Sequence, residues 1–298
     1  MRVTNGMVQR HVLADLHLVT ARLTDAQGKI SSGKQITRPS DDPFGTSRAL
    51  ALRESIGGIR QQQRNLEDAG GWQESAELAL AQVTDAVQRA RELVVQGSTD
   101  TSEPSARAAL AKEIDELAAN VKESMNASYR GQYVFAGTKT NAAPYATTGD
   151  GYLGNTGLVA REIGPGVSIG VNLIGSEIVG NGQAANDNKL LHVLRDISDH
   201  LRLGDGASLR GTDIDRLEKS LETVLDARAV NGARANRLES AQSRLAELEL
   251  STMTQLSETE DIDMGRALIE MNSQQAAYQA ALRAGSNIVQ ASLMDFLR

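Results

Sequence analysis

The stretch that decides the fold is Val12–Gly33, VLADLHLVTARLTDAQGKISSG. Val12, Leu16, Val19, Leu23, Ala26 and Ile30 recur at alternating steps of four and three, the spacing that keeps one stripe of a helix facing a partner helix. Asn5 can cap the start of this helix, and Ser31-Ser32-Gly33 can end it. A seam this regular at the edge of a chain needs another helix to cover it.

Working outward, Asp42-Pro43 offers an N-cap followed by a proline suited to a first helical turn. A second helix is expected from there to about Val95. Its seam is Trp72, Ala76, Ala79, Val83, Ala86, Ala90 and Leu93, with kinks expected at Gly57-Gly58 and Gly70-Gly71. Ser102-Glu103-Pro104 opens a third, with Leu110, Ile114, Leu117 and Val121 on one stripe. The chemistry then changes. Residues 137–183 hold 11 of the chain's 27 glycines and two of its five prolines. Val167, Ile169, Val171 and Leu173 alternate with polar or small residues, predicting a half-buried strand, and Val159, Arg161 and Ile163 its partner.

Helical spacing returns from Asn186 to about Leu203. Thr212 and Asp215 then make a capping-box-like start to a long helix carrying Ile214, Leu217, Leu221, Val224, Leu238, Ala241, Leu245 and Leu248. At the far end Leu268, Met271, Tyr278, Leu282, Gly285, Val289 and Phe296 form one stripe. Ala277, Ala281, Ala284, Ile288 and Ala291 lie beside it, a face wider than one partner helix can cover.

The expected fold is mainly α: an elongated antiparallel helical rod with paired N- and C-terminal coiled-coil helices and a small inserted β-domain. The terminal core is assigned to 1–40 and 260–298, the rod to 41–137 and 184–259, and the insert to 138–183. Glycine-rich boundaries make that insert look removable without loss of the helices.

Composition fits thin helices better than a thick globular core. Of 298 residues 40% are hydrophobic, yet there are only one Trp, three Phe and five Tyr. A formal charge of −7 argues against nucleic acid or an anionic membrane as the main partner. The absence of cysteine removes disulfides and thiolate metal sites. Arg2, Arg10, Asp15, Arg22 and Asp25 interrupt the first thirty residues, so neither a secretory leader nor a membrane span is expected. These features alone describe a cytosolic protein.

Catalytic, cofactor and metal sites are not expected. His192, Asp196 and His200 share a helix face, but two full turns separate the histidines, too far for one ion to meet both rings; a solvated face is the better reading. Gly149-Asp150-Gly151-Tyr152-Leu153-Gly154 matches a dinucleotide-loop string without the helix that must follow it, and reads as a turn. Asp41-Asp42, beside Pro43 and Phe44, read as capping residues rather than as an acid–base pair.

Several segments together resemble the flagellin and hook-associated protein superfamily. These are Ile30-Ser31-Ser32-Gly33-Lys34-Gln35-Ile36 followed by Arg38-Pro39-Ser40-Asp41-Asp42-Pro43, then Tyr133-Val134-Phe135-Ala136-Gly137, Gly232-Ala233-Arg234-Ala235-Asn236-Arg237-Leu238, and Ser292-Leu293-Met294-Asp295-Phe296-Leu297. The proline-flanked Asp pair and the C-terminal run are most similar to hook-associated proteins of the third type. The resemblance implies a structural subunit, exported unfolded through the flagellar type III apparatus without a cleaved signal peptide and escorted by a chaperone. It implies polymerisation outside the cell between the first hook-associated protein and flagellin. Val12, Leu16, Val19, Leu23, Ala26, Ile30, Leu268, Met271, Tyr278, Leu282, Val289 and Phe296 are the expected assembly interface. A flagellin is the nearest rival reading, and a cytoplasmic coiled-coil adaptor a more distant one.

Overall fold

The computed structural model describes residues 5–99, 103–164 and 166–296, and for 5, 6, 8, 9 and 287–296 the backbone alone. The cap role of Asn5, Ser102 at the opening of the third helix, the stripe positions Ile288, Val289, Ala291 and Phe296, and the side chains of the C-terminal run therefore lie outside the described residues. The chain divides into two compact units, residues 1–58 with 248–298, and residues 59–247.

In the first unit, α1 (Asn5–Ser32) lies against α8 (Met264–Phe296). Gly33 ends α1 at φ +70°, its N–H donating to Lys29 O at 3.0 Å, a left-handed cap that glycine adopts without strain. The same unit holds the start of α2 (Pro43–Gly97) and the end of α7 (Ile214–Glu260).

The second unit is built on the rest of α2 and α7, with α3 (Pro104–Met125) and α5 (Leu190–Leu203). The α2 seam is buried as the spacing predicts, except that Ala86 is only half-buried. Helix α2 is uninterrupted through both glycine pairs. At Gly71 the missing side chain admits the Tyr129 ring, which a Cβ would meet at 2.5 Å, and that ring meets Trp72 edge-on at 6.5 Å. Aromatic packing fills the space that the missing side chain of Gly71 leaves.

Between α3 and α5 come two short antiparallel hairpins. Strands β1 (Ser128–Tyr129) and β2 (Gln132–Tyr133) turn through Arg130 and Gly131, both at positive φ. Strand β3 (Ala160–Gly164) pairs with β4 (Val167–Gly170), Arg161 opposite Ile169, so the two strands expected to be partners are partners. Beyond Gly170 the ladder gives way to one backbone bond, Val171 N to Val159 O at 2.9 Å, and to the Asn172 side chain, whose Oδ1 accepts Val159 N at 2.8 Å. A helical turn α4 (Gly175–Ile178) and a 3-10 turn (Gln183–Ala185) complete the region. Asn186 and Asn188 are left-handed, so α5 starts at Leu190 and not at Asn186.

Tyr145, Ile163, Ile169, Val171 and Val179 of the glycine-rich stretch belong to the same buried cluster as Trp72, Leu80 and Val83 of α2, Ile114 and Val121 of α3, and Leu194 and Ile197 of α5. At about 2 kcal/mol per buried large side chain, the glycine-rich stretch supplies a sizeable share of this core. Packing argues against the expectation that it can be removed.

Helix α7 also begins differently from the expectation. Asp205 takes Ser208 N at 3.1 Å and Ser208 Oγ at 2.6 Å, capping the turn α6 (Gly206–Ser208). A π turn over Leu209–Asp213 leads straight into α7. Thr212 is inside that turn, so the cap lies seven residues before the position expected.

Candidate assembly surfaces

The paired termini sort their apolar residues into two groups. On α1, Val12, Leu16, Val19, Leu23 and Ile30 are half-buried and Ala26 is buried, all on the stripe the spacing defines, whereas Leu13 and Leu18 stay exposed. On α8, Ala267 and Gly285 are buried, and Met271, Tyr278 and Ala281 half-buried. A Cβ at Gly285 would lie 3.2 Å from Val12 Cγ1 and 3.7 Å from Leu16 Cδ1, so the two helices approach closely there. Leu268 and Leu282 lie beside that seam, 44% and 45% exposed, and Ile269 is 73% exposed. One apolar stripe is used within the chain; its neighbour is left uncovered.

The segment joining α1 to α2 is held by its own carboxylates. Asp42 Oδ1 accepts Phe44 N at 3.0 Å and Gly45 N at 2.9 Å, capping α2, while Pro43 has no N–H to satisfy. Asp41 turns back instead. Its Oδ2 accepts Arg38 N at 2.9 Å and Thr37 Oγ1 at 3.0 Å, and the Arg38 backbone bond, then the Thr37 hydroxyl, hold its carboxyl below the usual range. Gly45 is confined, since a Cβ there would fall 2.4 Å from Asp42 Oδ2.

This segment meets the break between α7 and α8. Gln35 N donates to Glu260 O at 2.7 Å, and Ile262 N to Gly33 O at 3.0 Å. The buried Glu260 carboxylate takes Lys34 Nζ at 2.5 Å and the Arg53 guanidinium. Behind lies a cleft of about 370 Å³ with Lys34, Arg38 and Arg53 in its walls. Phe44 stands at the start of α2, 89% exposed.

A second cleft, of about 420 Å³, lies between α2 and α7 in the middle unit. Glu67, Glu74, Glu77 and Glu239 line it, with no lysine or arginine among the lining residues. Glu77 is bound to Arg228 at 2.7 Å. Gly232 and Ala235 of the segment resembling the superfamily line this cleft too, and its Arg234 reaches Asn172 O at 2.9 Å.

In the β region, the Gly149-Asp150-Gly151 turn is an anchor that sequence reasoning missed. Asp150 accepts Arg195 Nε at 2.8 Å and Nη2 at 3.1 Å, and Lys122 Nζ lies 3.0 Å away. The Arg195 hydrogen bond is the main cause of its depressed pKa. Tyr145 donates to Gly180 O at 2.8 Å, and burial raises its phenol pKa.

The histidines serve separate partners. His192 Nδ1 accepts Asn188 N at 3.1 Å, and its Nε2 is 3.2 Å from Asp196. His200 Nδ1 lies 2.6 Å from the fully buried Asp213, whose carboxyl burial pushes up against the opposing pull of His200. Among the described residues no group of three or more His, Asp or Glu is placed to hold a metal ion, and no helix is long and apolar enough to cross a membrane.

Residues 3–140 match the bacterial flagellin N-terminal helical region, and residues 214–297 the bacterial flagellin C-terminal helical region. The chain is similar to flagellar hook-associated protein 3 of Escherichia coli (strain K12), 29% identical over 288 residues that cover 90% of each. It is 25% identical over 317 residues to flagellar hook-associated protein 3 of Salmonella typhimurium, across the full length of both. In fold it is similar to FlgL of Bacillus cereus, with a TM-score of 0.60 and 21% identity over 70% of this chain and 99% of that one.

Proposed function

Since the chain belongs to the bacterial flagellin family, carrying both of its helical regions, we propose that it is a structural subunit joining the hook-associated zone of the flagellum to the flagellin filament. Its work is packing, not chemistry. Copies of this chain meet one another, the first hook-associated protein below and flagellin above. The subunit reaches that place unfolded, through the flagellar type III apparatus, after release from an export chaperone.

The observation that carries this reading is the unused stripe on the terminal pair. Leu268, Ile269 and Leu282 remain open beside a seam already satisfied by Val12, Leu16 and their neighbours. A water-facing stripe next to a filled one fits a subunit whose remaining partners belong to other subunits. What favours the junction over the filament is the proline-flanked turn Arg38-Pro39-Ser40-Asp41-Asp42-Pro43, with the likeness to two hook-associated proteins over nearly whole chains.

Immunogold labelling of isolated flagella tests the choice. Gold is expected in one narrow band where hook meets filament. Gold along the whole filament would make the chain a flagellin.

A further inference from the structure

We propose that the Val171–Asn172 segment of the glycine-rich region is a register gauge, which lets α2 and α7 lie side by side at one relative height only. The two seams need one. On α2, Leu66, Gln73, Leu80, Val87 and Val94 recur at every seventh residue, and all are buried. On α7, Leu217, Val224, Asn231, Leu238 and Leu245 do the same. Helices with strict seven-residue repeats fit one another nearly as well after a slip of seven, because each apolar side chain then meets an equivalent one. Ion pairs do not settle the choice. Glu77 with Arg228 and Arg91 with Glu218, at 2.7 and 2.8 Å, follow one antiparallel alignment, but each pair stands partly in water.

What discriminates is a pair of adjacent carbonyls. Gln73 Nε2 of α2 donates to Val171 O at 2.9 Å, and Arg234 Nη1 of α7 donates to Asn172 O at 2.9 Å. Neighbouring peptide groups thus take one donor from each helix. Asn231 Nδ2 closes the triangle by donating across to Gln73 O at 3.0 Å. The gauge is itself held in place. Val171 N donates to Val159 O at 2.9 Å, and the Asn172 side chain accepts Val159 N at 2.8 Å and donates to Gly157 O at 2.9 Å. Val171 and Asn172 are fully buried, so a donor lost from either carbonyl is costly. A slip of seven along α7 brings Ala227 or Ala241 to the place of Arg234; a slip along α2 brings Leu66 or Leu80 to that of Gln73. None of these side chains can donate. The Asn231 bond alone would survive such a slip, since every residue offers a carbonyl, so the choice lies with Gln73 and Arg234. Gln73 is also retained at a cost, because its Oε1 is buried without a partner among the described residues, where a leucine would leave nothing unpaired.

The chain has no cysteine, so spin labels can be placed at will. Glu92 on α2 and Glu239 on α7 are exposed and take the labels as Glu92→Cys and Glu239→Cys. The distance between the labels, measured by pulsed electron resonance on the purified subunit, reports the register. One distance is expected with the native donors. Gln73→Met with Arg234→Met removes both donors and keeps side-chain bulk, so every register leaves the two carbonyls equally unpaired. A second population is then expected, displaced by about 10 Å, the rise of seven helical residues. Arg234→Lys with Gln73 intact keeps a donor on each helix and should hold the single distance. An unchanged single distance in the donorless variant overturns the proposal. So does loss of its helical circular-dichroism signal, because the contacts would then be holding α2 and α7 together rather than choosing their height. Two distances already present with the native donors would overturn it as well.

Discussion

Gly137 sits at φ +70°, where a Cβ would fall 2.0 Å from the Asn155 carbonyl oxygen. Gly131 has φ +79° and nothing within 4 Å of the same point. Backbone strain is common to both, and collision belongs to one. Gly131→Ala should lower stability by about 1 kcal/mol and Gly137→Ala by at least twice as much, read as urea midpoints by circular dichroism. Asp150 supplies a pH signature. Arg195 depresses its carboxyl pKa below the ordinary value of 3.8, so the stabilisation is fully present above that pH. It is lost as pH falls through the lower folded value. Acid unfolding of the wild type should therefore steepen below about pH 4, whereas Asp150→Asn, lacking the ion pair throughout, should be less stable at neutral pH and flatter in acid. The role of Asp150 is not legible in sequence, where it sits between glycines that read only as a turn.

At the scale of elements, α1 was readable and α8 only partly so. Val12 to Ile30 is one clean stripe, and those residues are the ones turned inward. The stripe expected on α8 is split: Met271, Tyr278 and Gly285 turn inward, joined by Ala281 from beside it, whereas Leu268 and Leu282 stay out. Small residues decide it: Ala267, Ala281 and Gly285 let α1 come close, which turns Leu268 and Leu282 outward. The two stripes should then separate by mutation. Gly285→Leu places bulk against Val12 and Leu16 and should pry the pair apart, seen as faster amide exchange along α1. Leu282→Asp should leave exchange and melting unchanged in the free subunit, where the side chain is wet. In an assembled core the same carboxylate would cost about 3 kcal/mol or more, so filaments should detach or fail to form. Normal swimming of that strain would sink the packing account of α8. The α7 start was misread for a different reason: Thr212 and Asp215 satisfy a capping pattern locally, but Asp213 turns inward to His200 and the helix runs on from Asp205.

For the whole molecule, the helical class and the order of elements follow from spacing, because thin helices have one seam and little else to bury. The middle region does not, since its strands are short and its core positions are scattered among glycines. Tyr145, Ile163 and Val171 enter the helices' core, and Asp150 is clamped by Arg195 and Lys122. Replacing residues 138–183 with a flexible linker should therefore abolish cooperative unfolding; retention of one sharp transition would restore the view of an appendage. No packing argument by itself picks the junction out of the flagellum. That choice rests on the proline-flanked turn and on likeness along nearly whole chains. Electron microscopy of a strain lacking this chain tests it most directly: bare hooks with unpolymerised flagellin in the medium are the predicted result, and full-length filaments seated on those hooks would contradict it.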